Sequence, residues 1–194
     1  MSRSARKAAA TRAGRRSRLV PLVRRVESAP TLDAVADRLT PLAEPTVSSD
    51  RVRGWLRGEW LGHAVHPLLT DLPIGAWTST NLLDVFGGHR SRPAAEGLLA
   101  FGLAAATPTA VTGAAEWVAT TGKRRRVGAA HAVLNLTAFG LYGASFVLRR
   151  RGRHRLGVGL GLLGAATATV GGYLGGHLTI ARDVGTKDPA FERE

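Results

Sequence analysis

Val127-Gly-Ala-Ala-His-Ala-Val-Leu-Asn-Leu-Thr-Ala-Phe-Gly-Leu-Tyr-Gly-Ala-Ser-Phe-Val-Leu148 contains no Lys, Arg, Asp or Glu. A helix needs about 20 mostly apolar residues to cross a hydrocarbon core of about 30 Å. This stretch is long enough, and both flanks stop it with charge: Lys123-Arg-Arg-Arg126 before it and Arg149-Arg-Arg-Gly-Arg-His-Arg155 after it. Three further apolar stretches follow the same pattern, Pro67–Phe86, Leu98–Val118 and Leu156–Ala181, the first two joined by His89-Arg-Ser-Arg-Pro93. Four spans with short joins predict an all-α integral membrane four-helix bundle, running up-down-up-down.

The rest of the chain is arranged around those spans. Mean hydropathy is near zero, an average over a polar, basic first third and an apolar remainder. Residues 1–25 carry nine Lys or Arg and no acid, within a net charge of +13. Such a run buries no core, so 1–29 is read as a disordered basic tail. Upstream of membrane helices its expected partner is anionic lipid headgroups rather than nucleic acid. Residues 30–62 read as short amphipathic helices before the membrane. Leu32, Val35, Ala36 and Leu39 mark one helical face, with Thr31 as N-cap and Pro41 limiting the end. Ser48–Leu56 reads as a second short helix, and Trp55 and Trp60 as interfacial anchors. The membrane domain is 63–182 and a C-terminal tail is 183–194.

Pro67 suits the first turn of its span, while Pro73 and Pro108 each remove a backbone bond inside one. The last span is rich in glycine, with Gly157, Gly161, Gly171, Gly172, Gly175 and Gly176 forming small-x-x-x-small pairs. These let helices approach closely, within the bundle or between copies in a homo-oligomer, or make room for a flat cofactor. A cytoplasmic N-terminus places the tail, Lys123–Arg126 and Arg182 inside, as the positive-inside rule requires, and the arginines of 149–155 outside against it. The expected location is the bacterial inner membrane, multi-pass, with the N-terminus in the cytoplasm.

There is no cysteine, which excludes disulfides, thiolate metal sites and any iron–sulfur cluster held by this chain's own cysteines. G-x-S-x-G, P-loop and H-E-x-x-H patterns are also missing, so a hydrolase or nucleotide-driven machine has no support.

The alternation of four helices sends one set of polar residues to one membrane face. His63 and His66 precede the first span, Glu116 ends the second, His131 begins the third and His177 ends the fourth. Asp71 lies about one turn into the first span on the same side. Ionisable groups within spans are costly and normally face the interior with partners. Three chemistries fit. His66, His131 and His177 can ligate haem b iron. His63, His66, Asp71, Glu116, His131 and His177 can supply a transition-metal site. A His–Asp chain can relay protons. A polar network that caps helix ends needs none of these. Asn81 and Asp84, at the other end, read as partners of Arg90 and Arg92.

Trp60-Leu-Gly-His-Ala-Val-His-Pro-Leu-Leu-Thr-Asp-Leu-Pro-Ile-Gly-Ala-Trp77 resembles the bacterial membrane family catalogued as domain of unknown function 2231. Gly62, His63, His66, Pro67, Asp71 and Pro73 carry its first motif, and Gly175, Gly176 and His177 its second. In some relatives this domain precedes a Rieske-type iron–sulfur domain. The resemblance implies a redox setting, with a Rieske-type protein or quinone as electron partner. Together these readings give a haem- or metal-binding redox module. A cofactor-free assembly subunit and a small proton or ion conductor stand as alternatives.

Overall fold

The computed structural model describes residues 17–192. The fold is all-helical, and among the described residues no strand forms beyond an isolated His63–Lys187 bridge. Seven α-helices follow in order among those residues: α1 Leu19–Ser28, α2 Thr31–Ala43, α3 Asp50–Arg57, α4 Val65–Phe86, α5 Arg92–Trp117, α6 Gly122–Arg150 and α7 His154–Gly176.

Three helical segments of the described residues are long and apolar enough to cross a membrane: His89–Trp117, Gly122–Arg150 and His154–Ala181. The fourth expected span is also a helix, the 22-residue α4. Its apolar run is diluted by Thr70-Asp71, Thr78-Ser-Thr-Asn81 and Asp84, which sets it apart from the other three.

Two hydrogen bonds fix how α4 lies on α5. His66 meets the carbonyl of Thr109, and Thr80 donates to that of Ala95. Moving down α4 therefore moves up α5, so the two helices form an antiparallel hairpin. Helices α6 and α7 form a second hairpin by the same reasoning, with His131 on Gly171 and Ser145 on Gly157. Pro73 is accommodated inside α4 by a neighbour. Its missing N–H leaves the Leu69 carbonyl without a helical donor, and Thr109 Oγ1 of α5 shares its one hydrogen between that oxygen at 3.2 Å and the Ala105 carbonyl of its own helix at 2.8 Å.

The interior is small. Trp77, Leu99 and Tyr142 form its middle, packed against Leu103, Ala106, Phe146 and Ala165. Leu68, Leu72, Ile74, Phe101, Leu136, Leu162, Leu163 and Val170 point outward and are exposed. An apolar exterior of this kind suits hydrocarbon surroundings.

The helices before α4 dock on α5 and α6. Asp33 of α2 accepts a two-pronged bond from Arg126 (2.8 and 2.7 Å), and Asp37 accepts from Arg125 at 2.9 Å. These acids offset the cations that Lys123–Arg126 places at the N-terminus of α6, where the helix dipole disfavours them. Ser49 caps α3, its Oγ accepting from Val52 N–H at 3.3 Å. Arg57, at the end of α3, donates to the Ala115 carbonyl at 2.9 Å, in the last turn of α5 where carbonyls lack helical donors.

Three local expectations change. The N-cap position of α2 is Pro30, and Thr31 is its first helical residue. Pro41 does not stop α2, which runs two residues further into a 3-10 turn, Glu44–Val47. A proline so near the end forfeits few backbone bonds. Within the stretch read as a tail, residues 1–16 lie outside the described residues, while Leu19–Ser28 is helix α1. Its Val23 packs with Val127 and Leu174, so an apolar face on α1 supplies the burial that composition alone conceals.

Candidate functional site

His66 enters on the first turn of α4 and His131 on the third turn of α6. Their rings meet at 6.2 Å between centroids, with planes at 88°. Each Nδ1 lies 2.8 Å from a carbonyl on the following helix, Thr109 for His66 and Gly171 for His131. A carbonyl only accepts, so both Nδ1 atoms carry hydrogen and each Nε2 keeps its lone pair. The glycines beneath make this approach possible: a Cβ at Gly113 would lie 2.7 Å from His66 Cε1, and one at Gly175 2.8 Å from His131 Cε1. Asn135 Nδ2 lies 3.2 and 3.1 Å from the two nitrogens of His131. Being near both, it sits over the ring rather than in line with either lone pair, and it donates to the His131 carbonyl at 2.9 Å.

The remaining residues of the expected set are placed elsewhere. His177 Nε2 is 2.9 Å from Glu27 Oε1 of α1. The chain beyond α7 continues as a π-helical turn, His177–Ala181, whose wider spacing brings both His177 and Arg182 onto Glu27. Glu27 is 2% exposed. Burial pushes its pKa up, but the hydrogen bonds from Arg182 and His177 outweigh burial and hold the carboxyl below its ordinary value. Glu116 accepts from Thr186 N–H at 3.2 Å. His63 stacks on Phe191, with centroids 4.9 Å apart. Asp71 is exposed. The six-residue metal set is thus dispersed, and among the described residues no three His, Asp or Glu side chains gather as a metal site. Of that set, His66 and His131 alone come together.

A second polar cluster occupies the opposite end. Asp84 pairs with Arg149 through both carboxylate oxygens, at 2.7 and 2.5 Å, rather than with Arg90 or Arg92. Their side chains are 1% and 0% exposed. Arg149 Nε donates to Ser145 Oγ, which donates to the Gly157 carbonyl at 2.6 Å. Between the two clusters Trp77 stacks on Tyr142 at 4.3 Å and 19°, and the Tyr142 hydroxyl accepts from Asn81 at 3.0 Å. A cavity lined by Asp84, His89, Arg92, His154 and Arg155 opens at this end, away from the histidine pair.

Sequence reasoning missed Glu27, because it lies in the segment read as a tail. It also missed Thr109 and Asn135, whose roles come from backbone carbonyls and ring faces. Neither a curated protein nor a solved structure matches the chain. Residues 62–188, from just before His63 to just past the His63–Lys187 bridge, match the family described as "Predicted membrane protein (DUF2231)", and the chain belongs to that membrane-protein family.

Proposed function

We propose that α4 is a fourth span completing an up-down-up-down bundle in the bacterial inner membrane, with the N-terminus cytoplasmic. The working centre of that bundle is the His66–His131 pair, a two-nitrogen ligand set for a transition metal in a membrane redox module. One observation carries this reading: both imidazoles are fixed by an Nδ1–H bond to a carbonyl, which leaves both Nε2 atoms as donors. Metal-bound histidines are oriented in this way by their second nitrogen. Imidazole suits copper, zinc and iron, with water or a partner completing the coordination. Gly113 and Gly175 bring the rings directly onto neighbouring backbone, so the surroundings favour an ion over a haem macrocycle. A quinone or a Rieske-type protein is the proposed electron partner, on the strength of the family resemblance.

The test is an oxidised and a reduced optical spectrum of the protein purified in mild detergent, with metal analysis on the same sample. Stoichiometric metal that is lost in monodisperse His66→Ala and His131→Ala variants supports the reading, and a haem spectrum identifies the iron form. A colourless, metal-free sample from metal- and haem-replete cells overturns it.

A second reading has its own observation. A Cβ at Gly172 or Gly176 would meet nothing within 4 Å, leaving a small-residue face on α7 for another membrane helix. In an assembly subunit, Gly172→Leu and Gly176→Leu break a complex that histidine variants leave intact.

A further inference from the structure

The two hairpins repeat each other residue by residue. In α4, His66 and Thr80 lie fourteen positions apart and bond to Thr109 and Ala95, fourteen apart in the reverse direction. In α6, His131 and Ser145 lie fourteen apart and bond to Gly171 and Gly157, again fourteen apart in reverse. The glycines that admit side chains obey the same register. Gly102 lies under Trp77 and Gly164 under Tyr142, as Gly113 lies under His66 and Gly175 under His131. The sequence carries this too. Gly97-Leu98, Gly102, Ala104, Ala106-Thr107 and Gly113 of α5 recur as Gly159-Leu160, Gly164, Ala166, Ala168-Thr169 and Gly175 of α7. His66, Leu69, Gly75 and Leu83 of α4 recur as His131, Leu134, Gly140 and Leu148 of α6.

Three equivalent positions touch their own counterparts: His66 with His131, Trp77 with Tyr142, and Asp84 with Arg149. In a two-fold arrangement only residues on the axis meet their equivalents. The three pairs therefore trace an axis from one end of the helices to the other. We infer that the membrane domain is a fused dimer, two copies of one helical hairpin in a single chain, and that Asp84 and Arg149 are the specificity-determining pair that closes the copies as unlike halves.

That role is electrostatic. At an axis, two identical copies would set like against like. Two α4–α5 hairpins would press carboxylate on carboxylate in a buried site, and two α6–α7 hairpins guanidinium on guanidinium. Only the mixed pairing is neutral, so the repulsion between like copies gives specificity. The two halves have adapted to their charges. A Cβ at Gly157 would lie 2.7 Å from Arg149 Cγ, so glycine makes room for arginine. The equivalent position beside Asp84 is Ala95, fully buried.

This equivalence yields a test on the full-length protein in detergent that does not depend on metal content, so it stands or falls separately from the redox reading. Asp84→Arg and Arg149→Asp are each expected to abolish the monodisperse species. Exchanging both charges together with Ala95→Gly is expected to restore it. The repeat already supplies Thr80 as the counterpart of Ser145, and Ala95→Gly supplies the counterpart of Gly157. A milder pair, Trp77→Tyr with Tyr142→Trp, exchanges the axial aromatics over their matching glycines. It is expected to melt higher than the two single changes would give if added. A triple variant as poor as the single charge variants, or an aromatic exchange costing the sum of its parts, overturns the inference.

Discussion

The guanidinium of Arg149 forks onto both carboxylate oxygens of Asp84, bridging α6 and α4 with neither side chain reaching solvent. A bidentate pair of this kind fixes geometry as well as charge. Removing one partner leaves the other charged and buried, a loss of about 3–5 kcal/mol, whereas removing both as shape-matched neutral groups costs much less. Asp84→Asn should therefore destabilise the protein more than the double variant Asp84→Leu, Arg149→Leu. Thermal melting in detergent compares the two.

Glycines beneath the imidazoles should tolerate a methyl group less well than a glycine facing outward. Gly113→Ala and Gly175→Ala push a methyl group to 2.7–2.8 Å from the imidazoles and should displace the rings, lowering metal occupancy with a modest fall in melting temperature. Gly172→Ala meets open space and should leave both unchanged. Metal analysis and melting curves on the three variants decide this.

Thr109 and Pro73 should be thermodynamically coupled. Thr109 Oγ1 serves the Leu69 carbonyl that Pro73 deprives of its helical donor. Thr109→Val leaves that oxygen without its share of the hydroxyl, at about 1 kcal/mol. In a Pro73→Ala background the restored N–H takes over, so the same change should cost less. A double-mutant cycle on unfolding free energy measures the difference.

Acid should release α1 before it disturbs the bundle. The folded Glu27 carboxyl is held below its ordinary value by Arg182 and His177, against the opposing effect of burial. Its contribution is fully present above the ordinary glutamate range and is lost as pH falls through the lowered value. Limited proteolysis near Ser28, followed against pH, should show cleavage rising on acidification. Glu27→Gln should already be cleaved at neutral pH, with little further pH dependence.

Long apolar runs are read easily, because a bilayer demands local length and composition. Residues 89–117, 122–150 and 154–181 were legible for that reason, and alternation of direction was enough to bring His66 and His131 to one end. Helix α1 had its own signal, Leu19, Leu22, Val23 and Val26 at helical spacing, masked by the cations around it. Nearness in sequence points Asp84 to Arg90 and Arg92. Its partner lies 65 residues away, on a helix face turned toward it, and such a choice is made by packing. Depth in the span marks His177 as a ligand, but its rotation at the end of α7 brings it to Glu27.

The Glu27–His177 bond joins residues 150 positions apart. During synthesis α1 emerges long before its partners exist, and the Glu27 carboxylate lacks its arginine counter-ion until Arg182, beyond α7, has been made. The clasp thus closes late: Val23 can already lie on Val127 of α6, while Glu27 gains its cation only when the segment beyond α7 is in place.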